Sequence, residues 1–209
     1  TLLNGLLAHH DAAKHLPRAG IVHRLDKDTS GLMVVGKTPL ACEKLVWQIG
    51  ERLVQRVYVA LVHGGWNLPP ELEVNRRVGR DSRNRLRMAG YEPEAPQGKP
   101  ALTRIRHMDG DAAYSWLTCK LHTGRTHQIR VHLTDLGHPL VGDTLYGGRL
   151  ALGLQRQALH AAKLAFEHPA TRAWMAFDAP LPQDIDAALQ QAGLNYNESK
   201  LWTTKAPQA

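Results

Sequence analysis

The segment Gly20–Gly31 concentrates side chains that can do acid–base or nucleophilic chemistry. Within four positions it holds an imidazole, a guanidinium and a carboxylate, at His23, Arg24 and Asp26. Apolar runs flank the segment at residues 21–22 and 32–35, and their β-branched composition predicts two buried strands. We therefore expect a polar turn held between two rigid elements, where a functional site gains precision.

A calcium loop is the first interpretation of this turn. The start of such a loop is matched by Asp26, Asp28, Ser30 and Gly31. The loop also needs a bidentate glutamate at its twelfth position, and Lys37 occupies that position. A cation cannot replace a metal-binding carboxylate, so we expect no metal site here.

A phosphate-binding loop is the second interpretation, because residues 31–38 satisfy the pattern G-x-x-x-x-G-K-[ST]. Such a loop must leave its strand so that backbone N–H groups converge on phosphates. The four middle residues, Leu-Met-Val-Val, are instead typical of a strand. A nucleotide-binding enzyme is therefore an alternative that the sequence pattern supports, although the strand-like residues within it do not suit phosphate binding.

A catalytic carboxylate is the third interpretation. Asp26 follows Arg24 by two residues, and positions two apart face the same side of an extended segment. The plain alternative is a surface turn with a satisfied aspartate, which is common for an isolated pattern of this kind. The residues of the turn alone do not separate these two.

Four stretches taken together favour the catalytic interpretation. The run His23-Arg24-Leu25-Asp26 and the five residues after it resemble the signature of the ribosomal-RNA pseudouridine synthases, and more narrowly the bacterial D type that modifies 23S RNA. The resemblance continues in chain order through residues 121–130, 138–148 and 156–161. It covers the chain from Thr1 to about Asp184.

The resemblance implies an enzyme that isomerises uridine to pseudouridine in RNA without a cofactor or a metal. It implies that Asp26 is the catalytic carboxylate, that Arg130 keeps it ionised and oriented, and that Tyr58 packs against the target base. Arg24 matches an arginine that fills the gap when the uridine is flipped out. The implied substrate is 23S ribosomal RNA, within it the stem-loop known as helix 69. Another ribosomal or transfer RNA uridine is the alternative within the family.

A polyanion is also the partner that the composition favours, since the net charge is +7 and the pI is near 9.6. Residues 76–87 hold six arginines and a single acid, Asp81. With the resemblance, this predicts RNA contacts from His23, Arg24, Arg76, Arg77, Arg80, Arg125 and His127. For the arginine cluster the alternative is a solvated hairpin. A non-catalytic RNA-binding assembly factor is the rival class, because it would share the cluster but need no buried Asp26–Arg130 pair.

Many strands with hairpin turns and few helices predict an α+β fold with a mixed, mainly antiparallel sheet. Strands are expected at 54–62, 102–107, 114–121, 158–166 and 174–179. Helices are expected at 1–10, at 38–50 with a Thr38 cap, at 127–136 with a Thr126 cap, and at 184–193 with an Asp184 cap. Arg130 would lie in the first turn of its helix, where the helix dipole prefers an anion, so we expect Asp26 to compensate it.

Length and composition predict one catalytic domain at residues 1–194 and a polar, frayed tail at 195–209. The chain begins with Thr1 rather than Met, so we expect a fragment, and the resemblance implies that an S4-like RNA-binding domain and the first strands of the sheet are missing. We expect no membrane segment, because no apolar run is long enough to span a bilayer. Cys42 and Cys119 form no metal spacing, which favours a cytoplasmic protein with reduced thiols. We expect a monomer.

Overall fold

A single mixed sheet of eight strands organises the computed structural model, which describes residues 1–206. The strands are β1 (Ser30–Gly31), β2 (Gln55–His63), β3 (Glu71–Arg80), β4 (Met88–Tyr91), β5 (Lys99–Gly110), β6 (Tyr114–Leu121), β7 (Leu159–Glu167) and β8 (Trp174–Asp178). Their order is β1-β7-β2-β6-β5-β3-β4, and β8 pairs with β7. Only β1 and β7 run parallel among these pairs. The predicted α+β class with a mainly antiparallel sheet is confirmed.

Four α-helices flank the sheet in the described residues: α1 (Leu2–His9), α2 (Pro39–Gly50), α3 (Gln128–Asp135) and α4 (Gln183–Gln191). Short 3-10 turns occur at Asp11–His15, Pro17–Gly20, Thr144–Tyr146 and Glu198–Lys200. Helix α2 begins as its sequence predicts, because Thr38 accepts a hydrogen bond from the Ala41 N–H and Pro39 needs no donor in the first turn.

Two of the predicted helix caps are wrong. His127, not Thr126, is the N-cap of α3, and it has a left-handed backbone with φ of 56°. Pro182 precedes α4, and the Asp184 carboxylate accepts two hydrogen bonds from Arg156. The predicted cap residues therefore lie close to the observed helix starts but are not the caps. Helix boundaries commonly differ by one or two residues between assignments.

Strand β2 is the centre of the core because both of its faces are covered. Tyr58, Ala60 and Val62 pack on one side with residues of α3, and Val59 and Leu61 pack on the other with residues of α4. This alternation follows from the two-residue period of a strand. The face that meets α3 is the one that carries Tyr58, so the core brings that tyrosine and α3 together.

Gln128 fixes the start of α3 to the sheet. Its amide nitrogen donates to Leu102 O at 3.1 Å and to Thr103 Oγ1 at 2.9 Å. Its amide oxygen accepts from the Arg125 N–H at 2.9 Å and from Thr123 Oγ1 at 2.8 Å. The side chain is almost fully buried, so these four bonds leave no polar atom of the amide unpaired. Every later residue of α3 is thereby placed at a fixed height above β5.

The two strands predicted around the polar segment are wrong. Only Ser30 and Gly31 form a strand, and the flanking runs meet in one isolated antiparallel bridge between Ile21 and Val35. Their apolar side chains are half-buried, with Val22, Leu32 and Val34 packed beside α2 and β7. The apolar character of the runs therefore reflects packing without a ladder of backbone hydrogen bonds.

The predicted frayed tail is wrong for residues 195–206, while residues 207–209 lie outside the described part. Leu201 is 3% exposed in the core beside α4. The Trp202 ring lies 3.7 Å from the Arg106 guanidinium, and Gln55 Nε2 donates to Lys205 O at 2.7 Å. Polar composition did not reveal these few buried anchors.

No helix within residues 1–206 combines the length and the apolar content that crossing a bilayer requires.

His132 in α3 gives the fold a dependence on pH. Its ring is fully buried, with Nδ1 2.9 Å from Thr103 Oγ1. Burial, and then the charge of Arg76, lower the pKa of His132 to about 4. The unfolded chain takes up this proton near pH 6.5, so the stabilisation present above that pH is lost as the pH falls toward 4. We expect His132→Leu to reduce the slope of unfolding free energy against pH in that window by up to about 1.4 kcal/mol per pH unit.

Urea titrations at a series of pH values measure this slope. His9→Leu on the exposed face of α1 is the matched control and should leave the slope as in the parent. An unchanged slope in His132→Leu would contradict the assignment.

Candidate active site

The polar segment 20–31 is a rigid loop because β7 holds its end. Gly31 has φ of 107°, and a Cβ there would lie 2.3 Å from the Ala161 carbonyl oxygen. The Leu32 N–H donates to that same oxygen at 2.9 Å. Only glycine fits this close parallel contact, so the loop is pinned to the sheet at a defined position.

Residues 156–160 brace the other side of the loop. Gln157 Nε2 donates to Lys27 O at 2.6 Å, and Arg156 Nη1 donates to Asp28 O at 2.9 Å. The Ser30 hydroxyl lies 2.9 Å from His160 Nδ1. The stretch that sequence analysis singled out at 156–161 therefore acts as the support of the loop.

The loop forms one wall of a cleft of about 370 Å³, which is also lined by β2, the end of α2 and residues 121–129. The cleft brings together these predicted site residues: His23, Arg24, Asp26, Tyr58 and Arg125. Arg24 is exposed, while Asp26 is half-buried. Asp26 is the only carboxylate among the described residues that line the cleft, so a single acid faces several cations.

Arg130 joins Asp26 to α3 as predicted, although Asp26 is its weaker partner. Arg130 Nη1 lies 3.8 Å from Asp26 Oδ2, which is too long for a hydrogen bond. Asp143 holds the same guanidinium with two short bonds, from Nε at 2.7 Å and from Nη2 at 2.8 Å. The expectation that Asp26 compensates Arg130 is therefore corrected: Asp143 does most of it.

Burial and ion pairing act in opposite directions on Arg130. Its side chain is 7% exposed and that of Asp143 is 1% exposed. Burial lowers the pKa of Arg130, but the hydrogen bonds and charge of Asp143, together with the charge of Asp26, outweigh it and raise the pKa. The Tyr146 ring also lies 4.8 Å from the guanidinium, a cation–π contact. The arginine is thus a permanent, oriented positive charge behind Asp26.

Tyr58 lies in the cleft wall as a neutral phenol. Burial raises the pKa of Tyr58 to about 12; Arg56 opposes the rise and Asp26 adds to it. The ring is 6% exposed and packs in the core cluster under α3. At neutral pH it therefore offers an aromatic face and an uncharged hydroxyl, and not a phenolate base.

The two histidines of the predicted RNA-contact set have structural partners. His23 Nε2 accepts from the Val34 N–H at 3.0 Å, and burial together with Arg56 lowers the pKa of His23 to about 4. His127 Nδ1 lies 2.8 Å from the Tyr146 hydroxyl, and burial is the main cause that lowers the pKa of His127. His23 holds the loop closed, and His127 positions Tyr146 below Arg130.

The predicted arginine cluster occupies the end of β3 and the turn that leads to β4, and its named members are largely bonded within the protein. Arg76 pairs with Glu92 at 2.6 Å, Arg77 donates to Gln97 O and Gly98 O, and Arg80 donates to Arg85 O. Among residues 1–206, the arginines of this turn that are exposed and whose side chains have no partner are Arg83 and Arg85. Their hairpin adjoins the site, since the Arg87 guanidinium lies over the Tyr146 ring at 5.1 Å.

Asp143 and Tyr146 lie in the sequence motif at 138–148, but the sequence did not reveal a role for either. Both depend on the turn after Val141, where Gly142 has φ of 78° and Gly148 N–H donates to Asp143 O. A signal was present, because an aspartate soon after the apolar pair Leu140-Val141 is placed at the edge of the core. Which cation it meets depends on the packing of α3, which the spacing does not give.

The phosphate-loop alternative is disfavoured by the backbone of residues 31–38. The N–H groups of Leu32, Val34 and Gly36 donate to Ala161 O, His23 Nε2 and Gly20 O respectively. These donors are therefore not free to converge on a phosphate. The Thr38 hydroxyl caps α2, as the sequence predicted.

Comparison with known proteins shows the family to which the chain belongs. The family model for RNA pseudouridylate synthase matches residues 5–135. The chain belongs to that family. The predicted family resemblance is therefore confirmed.

Relatives named ribosomal large subunit pseudouridine synthase D include those of Neisseria meningitidis serogroup A and Vibrio parahaemolyticus. The first is 48% identical over 88% of this chain and 51% of its own length; the second is 45% identical over 90% and 60%. An uncharacterized RNA pseudouridine synthase of Chloroflexus aurantiacus is 48% identical over 91% of this chain and 60% of its own. The chain thus spans about half to three fifths of the length of these relatives.

Two solved human structures share the fold of this pseudouridylate synthase family member. RNA Pseudouridylate Synthase Domain Containing 1 superposes with a TM-score of 0.67 and 31% identity, over 80% of this chain and 71% of that one. RNA Pseudouridylate Synthase Domain Containing 4 gives a TM-score of 0.69 over 84% and 76%; at 23% identity it supports the fold alone.

The unequal sharing of Arg130 predicts unequal effects on stability. Asp143→Asn breaks a buried bidentate pair, and we expect it to lower the free energy of unfolding by about 3–5 kcal/mol. Asp26→Asn removes one longer contact, and we expect a loss of about 1 kcal/mol or less. Urea denaturation of both variants measures the difference. Equal losses would mean that the two carboxylates share the guanidinium equally.

Proposed function

We propose that this protein isomerises uridine to pseudouridine in 23S ribosomal RNA, with Asp26 as the catalytic carboxylate. The observation that carries the proposal is the division of work between two aspartates. Asp143 binds Arg130 with two short bonds, while Asp26 stays 3.8 Å away at the wall of the cleft. Asp26 is therefore oriented by a positive charge without having its oxygens occupied by strong hydrogen bonds.

The reaction requires few chemical groups because substrate and product are isomers. The bond from uracil N1 to ribose C1′ breaks, the ring turns, and a new bond forms from C5 to C1′. The C5 proton leaves and N1 gains a proton, so no redox partner or group donor is consumed. One carboxylate in a closed pocket is enough for either nucleophilic or base catalysis. Asp26 would attack C1′, attack the uracil ring, or remove a sugar proton.

Tyr58 supplies the surface on which the uracil ring stacks while it is detached. A cleft of about 370 Å³ falls within the range of sites that enclose a small ligand, about 300–1,000 Å³. Because its pKa is raised to about 12, Tyr58 acts through the neutral hydroxyl. It can pass the C5 proton between neighbouring oxygens but does not hold it as a phenolate base.

The target uridine must leave its stack to reach Asp26, which costs a few kcal/mol for an enzyme of this type. Arg24 is exposed at the mouth of the cleft, two residues before Asp26. In our proposal its guanidinium occupies the gap that the flipped base leaves. A loop or irregular stem is the favoured substrate, since the grooves of regular A-form RNA are hard to read.

Helix 69 of 23S RNA is the target that we propose within this substrate class. The support is the resemblance to the D-type synthases of 23S RNA, together with relatives that are themselves named ribosomal large subunit pseudouridine synthase D. A monomeric protein in the cytoplasm is the matching expectation. Mapping pseudouridine by mass spectrometry on 23S RNA incubated with this chain tests the target. Pseudouridine at a position outside helix 69 would show that the target is a different uridine. Absence of pseudouridine would refute the proposed activity.

Asp26→Asn separates an enzyme from an RNA-binding assembly factor. The substitution keeps the size of the side chain and removes its charge. We expect RNA affinity within a few-fold of the parent and no detectable pseudouridine, measured by filter binding and by mass spectrometry on the same RNA. Asp28→Asn is the control in the same loop, since Asp28 is exposed and its φ of 68° suits asparagine. It should keep parental activity, whereas conversion by Asp26→Asn near the parental rate would refute the mechanism.

The exposed arginines of the β3–β4 turn are the members of the basic cluster best placed to meet phosphates. We expect the double substitution Arg83→Glu and Arg85→Glu to weaken RNA binding and to lower the salt dependence by about one counterion per lost phosphate contact. The chemical step at saturating RNA should be unaffected. Arg172→Glu, in the exposed turn between β7 and β8, is the control and should not change the salt slope. If the double variant keeps the parental affinity for RNA, the turn does not contact RNA and is only a solvated surface.

A further inference from the structure

Arg56 is a buried cation that has no partner among the residues the structure describes. It lies on β2 and its residue is 6% exposed. Among residues 1–206 its guanidinium has no carboxylate within 4 Å and makes no hydrogen bond, and its Nε is buried and unpaired. Buried charges in proteins are nearly always paired, because removing an ion from water is costly. The unpaired guanidinium therefore needs an explanation.

The cleft is where this guanidinium points. Arg56 and Tyr58 lie two residues apart on β2, and both line the cleft that contains Asp26. The guanidinium also contacts Gly124 in the lining of the cleft, where a Cβ would come within 2.6 Å of Arg56 Nη1. Glycine at position 124 thus makes room for the arginine beside the site. The space is shaped around the cation and provides no anion for it.

The charged neighbours of Arg56 are cations. Burial is the main cause that lowers the pKa of Arg56; Tyr58 opposes it, and the charge of Arg125 lowers the pKa further. Burial and then the charge of Arg56 lower the pKa of His23. Arg18, Arg24 and Arg52 also line the cleft, against the single carboxylate of Asp26. This arrangement disfavours a cation or a neutral ligand at Arg56 and favours an anion.

Arg130 is a buried arginine of the same molecule that does have carboxylate partners, and it serves as the comparison for Arg56. It has two carboxylates, and its pKa is raised despite burial. Arg56 has none, and its pKa is lowered, with burial as the main cause. The two guanidiniums flank the same site, one completed by the protein and one not.

We propose that Arg56 is the receptor for the phosphodiester next to the flipped uridine. Every nucleotide in RNA brings such an anion, and a guanidinium binds two of its oxygens in a fork. The proposal rests on the proposed function and deepens it: the site recognises a nucleotide within a chain, and a free nucleoside would leave Arg56 unpaired. RNA binding then supplies the counter-charge that the fold lacks, and it fixes the sugar relative to Asp26.

Substituting Arg56 separates this role from a structural one. A phosphate receptor predicts a rise in the thermal midpoint of the free protein, and a structural role predicts a fall. Arg56→Met keeps the length and removes a buried unpaired charge, so the thermal midpoint of the free protein should rise. Its RNA affinity should fall at least ten-fold. Arg130→Met is the matched control at a paired arginine, and its midpoint should fall. Arg56→Lys keeps the charge without the fork and should recover part of the RNA affinity.

The decisive test replaces the phosphate instead of the protein. Two RNA stem-loops are made with one neutral methylphosphonate each, 5′ or 3′ of the modified uridine, with 2′-O-methyl protection. We expect one of them to lose about ten-fold in affinity for the parent protein and almost nothing for Arg56→Met. If Arg56→Met loses the same factor as the parent on both methylphosphonate RNAs, the assignment is overturned.

Binding is measured at equilibrium by fluorescence anisotropy, so the outcome does not depend on turnover. If the parent protein makes no pseudouridine, the proposed function fails whatever the coupling shows. If the parent converts uridine and the coupling is absent at both phosphates, only the role of Arg56 fails. A second variant, Arg56→Gln, repeats the coupling measurement if Arg56→Met does not fold.

Discussion

The buried pair of Arg130 and Asp143 is the interaction on which the site depends. It joins the first turn of α3 to the turn after Val141, and it is satisfied by two short bonds within the protein. A cation at a helix start is unfavourable for the dipole, and burial adds to the cost. Because Asp143 neutralises the charge of Arg130, the catalytic candidate Asp26 does not have to do so. An aspartate that had to neutralise Arg130 alone would be a poor nucleophile, since its oxygens would be held.

Rigidity of the loop around Asp26 has a different origin from regular secondary structure. The loop has only a two-residue strand, so its position comes from a glycine contact to β7 and from side chains of residues 156–160. The bonds from Gln157 and Arg156 end on backbone oxygens of the loop, which fixes the chain and leaves the side chains of Arg24 and Asp26 free to meet substrate. This is why a loop in an α+β protein can hold a carboxylate as firmly as a strand would.

The sequence predicts best where one local rule dominates. Alternation identifies β2, β5 and β6, and threonine followed by proline marks the start of α2, because those signals need no tertiary partner. It fails at residues 21–22 and 32–35, where apolar side chains pack without a ladder. Asp26 and Tyr58 line one cleft and Arg130 lies 3.8 Å from Asp26, while the catalytic roles that the resemblance implies stay predictions. The partner of Arg130 was missed since the approach of Asp143 depends on the angle of α3, and Arg56 was missed because alternation does not tell whether a strand arginine is buried.

The electrostatics of the cleft connect the two features that the sequence did not predict, which are the Arg130–Asp143 pair and the buried Arg56. A folded chain normally pairs its buried charges within itself, and Asp143 does this for Arg130. Adding a second acid for Arg56 would stabilise the free protein, but it would place a negative charge where we propose that an RNA phosphate binds, and like charges at close range would weaken that binding. An unpaired Arg56 is therefore consistent with a site whose catalytic half is complete before substrate arrives. In our proposal, the substrate itself completes the half that binds the RNA backbone.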